Sequence, residues 1–82
     1  MRREMEWKEH IHSDQAILGG KPIVRGTRIS VELILEYIAD GCSVADVIAA
    51  YPHLSEAQVR AALAFAHDMV AEEKSIASSR AA

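Results

Sequence analysis

Apolar and polar positions change rhythm along this chain. From Ile23 to Val31 the period is two: Thr27, Ile29 and Val31 alternate with Arg28 and Ser30. With Arg25-Gly26 as a tight turn, the pattern predicts a short β-hairpin within about residues 17–31, Ile23-Val24 forming one arm and Thr27–Val31 the other. Pro22 donates no ladder hydrogen bond, which puts its strand at an edge or puts the proline at the strand's start. From Ser30 onward the period becomes helical. Val31, Ile34, Leu35 and Ile38 stand at i, i+3, i+4 and i+7, and Leu33 and Tyr37 make a second stripe. Ser30 is positioned to cap this helix and Gly41 to end it. A second helix starts at Ser43 with Asp46 three residues on, buries Val44, Val47, Ile48 and Tyr51, and stops before Pro52. A third starts at Ser55 with Gln58 completing a capping box, and Val59, Ala62, Leu63, Ala66, Met69 and Val70 form its predicted inner face.

The reading is a mainly α fold: a short N-terminal β-hairpin followed by a three-helix bundle. It forms a single domain over 11–74, with residues 1–10 and 75–82 as flexible ends. The ends are assigned on composition, since the first ten residues are polar and mixed in charge and the last nine are rich in Ser and Ala.

Composition adds a packing constraint. In 82 residues there is room for one small domain, and 50% are hydrophobic, yet 14 of those are alanine and only Trp7, Tyr37, Tyr51 and Phe65 are aromatic. Such a core calls for helices packed closely through small side chains, and for a second subunit. No apolar run approaches the ~20 residues of a membrane span. Met1–Glu9 is charged throughout, unlike a signal peptide, and the single Cys42 allows no internal disulfide. Together these lead to the expectation of a soluble cytoplasmic protein.

Charge separates the chain into two parts. Lys21, Arg25 and Arg28 fall between Gly19 and Val31 with no acid among them, so with a net charge of -3 the remainder carries -3 - 3 = -6. The short joints Gly41-Cys42 and Pro52-His53-Leu54 reproduce the spacing of a helix-turn-helix, in which the third helix enters the major groove. Its outward positions would be Glu56, Gln58, Arg60, Ala61, Ala64 and His67. The DNA-binding candidates are therefore Lys21, Arg25, Arg28, Gln58 and Arg60. A plain amphipathic bundle with no nucleic-acid role fits the same pattern, the three hairpin cations then only keeping an edge strand soluble. Ile23, Ile29 and Val31 are the candidate dimer interface, through pairing of that strand with its copy. His10, His12, His53 and His67 lack ligand spacing, Cys42 lacks a partner, and no acids stand beside a base, so neither a metal, a cofactor, a small-molecule substrate nor an enzymatic activity is expected.

The run Ile17-Leu18-Gly19-Gly20-Lys21-Pro22-Ile23-Val24-Arg25-Gly26-Thr27-Arg28-Ile29, followed by Val31, resembles the family called domain of unknown function 433. So do Gly41-Cys42-Ser43, Tyr51-Pro52-His53-Leu54-Ser55 and Val59 to Ala66. Ser30 stands where that family often has proline. The resemblance implies a homeodomain-like or winged-helix fold and, for some members, a VapB-type antitoxin paired with a PIN-type ribonuclease toxin. It leads to the expectation of a homodimeric antitoxin or regulator that binds operator DNA. The alternative is a protein-interaction module that never touches DNA.

Overall fold

Each of the three helices begins where a serine can take over an orphan backbone N–H. A computed structural model of the chain describes residues 6–72. Helix α1 spans Val31–Ala39, α2 Val44–Ala50 and α3 Glu56–Ala71. The Ser30 hydroxyl accepts from the Leu33 N–H at 3.0 Å. At α2 and α3 the capping boxes close in both directions, Ser43 with Asp46 and Ser55 with Gln58. Gly41, at φ +101°, turns the chain out of α1. Of the predicted ends, 1–5 and 75–82 lie outside the described residues, as do 73–74 of the predicted domain.

The short sheet pairs differently from the sequence expectation. Strand β1 is Ile11–His12 and strand β2 is Ile23–Val24, antiparallel, with Ile11 opposite Val24 and His12 opposite Ile23. The expected return arm makes only one bridge, Ser30 to Ile23. Its hydrogen bonds explain why. Thr27 turns its hydroxyl back onto the Val24 carbonyl (2.8 Å) and accepts from the Ile29 N–H (2.9 Å). Three residues of potential ladder are thereby spent on the turn around Gly26 (φ +84°). The Val31 N–H then closes onto the Pro22 carbonyl at 2.9 Å, and α1 begins at once. β2 is thus flanked on both sides, by β1 and by the 29–31 arm, and Pro22 sits just before it.

The core gathers Ile11, Val24, Val31, Ile34, Val47, Leu54, Val59, Ala61 and Ala62. α3 runs through its middle, touching α1, α2 and the Trp7–His12 segment. Residues 7–10 therefore belong to the fold, not to a frayed lead-in. A 3-10 turn at Trp7–Glu9 lays the indole edge-on against Phe65, ring centres 4.9 Å apart, and the Trp7 Nε1–H donates to Asp68 Oδ2 at 2.7 Å. That contact rotates the buried face of α3. Ala61 and Ala64, expected outside, are buried at 0% and 8% exposure, whereas Met69 and Val70, expected inside, are 40% and 66% exposed. Close packing through alanine holds for α3 alone: Ala39, Ala45, Ala49 and Ala50 on α1 and α2 face solvent.

Candidate nucleic-acid and partner interface

The cations of the Gly19–Val31 stretch are held by local geometry in three different states. Lys21 follows a left-handed turn, Leu18-Gly19-Gly20, in which all three φ angles are positive. Its Nζ lies 2.8 Å from Glu32 Oε1 on the first turn of α1. Hydrogen bonding, reinforced by charge, holds the Lys21 ammonium above its ordinary value and the Glu32 carboxyl below its own. Arg25 lies on the other side of β2. Its guanidinium donates to the Lys8 carbonyl at 3.2 Å and lies 3.3 Å from His12 Nδ1. Arg28 is exposed and forms no ion pair or hydrogen bond among the described residues. It borders an open cleft with Leu18, Lys21, Leu33 and Glu36.

The α3 candidates are engaged close to home. Gln58 spends its side-chain oxygen on the Ser55 N–H, at 2.8 Å, as the second half of the capping box. Arg60 meets Glu56 one turn earlier at 3.2 Å, both side chains exposed. Ala61 and Ala64 are removed from the outward set by burial. What α3 does present is one stripe at helical spacing: Glu56, Arg60, half-buried Leu63, His67 and Val70. Its first half is charged. Its second half is apolar, with Ala66 and Met69 beside it, and His67 contacts Asp68 at 3.1 Å.

The residues expected to pair two copies are used inside one. Ile23 and Val31 are 0% and 3% exposed, and Ile29 is half-buried against the core. Since β2 also has backbone neighbours on both sides, this strand offers neither side chains nor a free ladder to a second chain. No group of three or more His, Cys, Asp or Glu side chains able to hold a metal occurs among the described residues, and none of their helices is long and apolar enough to cross a membrane. Half-buried Cys42 serves the α1–α2 turn, its N–H donating to the Tyr37 carbonyl at 3.0 Å.

Sequence reasoning passed over Trp7, Leu18 and the apolar half of the α3 stripe. The signal for Trp7 was present, since Trp7 and Ile11 are the first apolar pair after a charged run and stand four residues apart. Leu18 carried no such signal, because its exposure follows from the left-handed turn.

Over 59 residues the chain is 39% identical to "Uncharacterized protein y4eO" of Sinorhizobium fredii, a match that covers 72% of this chain and 27% of the relative. The chain thus spans about a quarter of that relative's length. No solved structure shows significant similarity. The family model described as "Protein of unknown function (DUF433)" matches residues 11–66, from β1 through most of α3, and the chain belongs to that family.

Proposed function

We propose that this protein acts by association, as an antitoxin-type regulator: it neutralises a PIN-type ribonuclease through one surface and contacts operator DNA through another. The observation that carries the reading is the divided stripe of α3. Charged Glu56 and Arg60 stand at its N-terminal end, and Leu63, Met69 and Val70 at its C-terminal end. In a helix-turn-helix the N-terminal end of the third helix faces the bases. The apolar end is the kind of exposed patch that protein partners cover. Neutralisation would be steric, an acidic helix-rich body covering a basic nuclease groove. Arg25 and Arg28 would contribute phosphate contacts from beside the sheet.

A second reading, a module that binds protein only, is favoured by a specific observation: Lys21 and Arg60 are each matched by a glutamate, and Gln58 is committed to its cap. Two measurements separate the readings. The neighbouring reading frame is expected to encode a PIN-type ribonuclease, co-expression with which should relieve growth arrest, and Val70→Asp should abolish the relief. A mobility-shift titration on its own upstream DNA should give a specific complex that weakens with salt. Relief without any specific shift sinks the DNA half; failure of relief sinks the antitoxin reading.

A further inference from the structure

Leu18 joins two properties that the fold of one chain leaves unexplained. Its φ of +51° is a conformation disfavoured for an L side chain and rare outside Gly, Asn and Asp, and the residue is 46% exposed. An apolar side chain is thereby held outward on a rigid turn. It borders a cleft of ≈ 480 Å³ together with Arg28, Leu33 and Glu36. A second cleft, of ≈ 460 Å³, adjoins it, with Pro22, Leu35, Ala39 and Phe65 as its apolar lining. The two share one rim, formed by Lys21, Glu32 and Glu36. Lys21 and Glu32 satisfy each other across that rim. The Arg28 guanidinium forms no ion pair or hydrogen bond among the described residues, and the exposed Glu36 carboxylate forms no direct ion pair there, acting on the Lys21 ammonium only through charge at a distance.

We infer that this face is the contact between two copies of the chain, with Leu18 of each seated in the Leu35–Ala39–Phe65 cleft of the other and Arg28 of each meeting the other's Glu36. A two-fold contact uses the same patch on both subunits, so that patch must hold both a projection and the hollow that receives it. Here the projection and the hollow lie side by side. The Arg28 cation, unpaired in one chain, and the Glu36 carboxylate, without a direct ion pair, meet each other across two. The contact lies on α1, the left-handed turn and the Phe65 side of α3, not on the exposed α3 stripe of Glu56, Arg60, Leu63, His67 and Val70, and does not depend on DNA or a ribonuclease.

The test is the oligomeric state of the full chain, followed by sedimentation and light scattering across a concentration series. The wild type should approach twice its 9.0 kDa mass. Leu18→Asn, which tolerates the left-handed conformation, should weaken the dimer by about tenfold or more while circular dichroism stays native. Arg28→Glu and Glu36→Arg should each weaken it similarly, by placing like charges in contact. Mixed one to one, these two variants should form a heterodimer, because each of the two contacts then again pairs a glutamate with an arginine, one of them in the reversed sense. A chain that remains at 9.0 kDa at its highest soluble concentration overturns the inference. So does a dimer indifferent to Leu18→Asn, or a mixture that fails to recover association.

Discussion

The Lys21–Glu32 pair fixes the turn after Gly20 to the first turn of α1, and its two partners set a pH window. The Glu32 carboxyl is held below its ordinary 4.5, so its contribution to stability is present above pH 4.5 and is lost as pH falls through the lowered folded value. The Lys21 ammonium is held above 10.5, so its contribution is complete below pH 10.5 and is lost as pH rises through the raised value. Denaturant unfolding of Glu32→Gln against wild type should therefore give a constant difference between those two values. The difference should vanish toward the acid end, and it should shrink in salt because both side chains are exposed. A difference that showed no decline as pH fell below 4.5 to the acid limit of folding would mean that Glu32 acts through packing and not through its charge. At Leu18 the prediction runs the other way. Leu18→Asn keeps the left-handed conformation and relieves part of the roughly 1–2 kcal/mol that it costs a side chain of leucine's type. At protein concentrations low enough for the monomer, it should leave unfolding stability unchanged or raised.

At the scale of elements, the helix boundaries were legible because short-range rules decide them. Ser30, Ser43 and Ser55 cap where the spacing says, and both capping boxes close with the expected partners. Ser55→Ala should destabilise by about 1 kcal/mol through the orphaned Gln58 N–H, as read by thermal unfolding. The face of α3 was not legible, because it is decided by a segment fifty residues earlier. Apolar residues cover nearly the whole circumference from Ala61 to Ala66, so periodicity alone fits more than one face. Trp7 and Ile11 choose the side occupied by Ala61, Ala64 and Phe65. A paired test follows: Ala61→Leu, into a fully buried site, should cost about 1–3 kcal/mol, whereas Ala57→Leu, on the exposed first turn, should be close to neutral. Equal effects at the two positions would reject the assigned orientation. The sheet was half legible for a similar reason. The turn at Gly26 is where Arg-Gly-Thr places it, but which strand fills the other side of β2 depends on a partner outside the local motif.

For the molecule as a whole, the question is where the cooperative unit begins. Charge and polarity draw the domain boundary at residue 11, and the family match also starts there. The packing draws it at least four residues earlier. A small chain buries a modest fraction of its surface, so the loss of one large side chain is a large share of its net stability. Trp7 supplies the indole against Phe65, the hydrogen bond to Asp68, and a lid over a helix whose own residues there are alanines. Shortened to begin at Ile11, the chain would keep every motif of the family and lose that lid. The Arg25 N–H would also lose the His10 carbonyl it now meets at 2.6 Å, and its guanidinium the Lys8 carbonyl. The expected cost is about 3–5 kcal/mol, from the size of the aromatic deletion. Full-length Trp7→Ala should reproduce most of it, and Trp7→Phe only part, since the ring contact with Phe65 survives while the donor to Asp68 does not. Trp7 is also the only tryptophan in the chain, so its fluorescence follows the docking of this segment directly. If the indole emission shifts to the solvated value well before the helical signal melts, the N-terminal segment is a separate, weaker unit. If the two transitions coincide, the segment, the sheet and the three helices unfold as one.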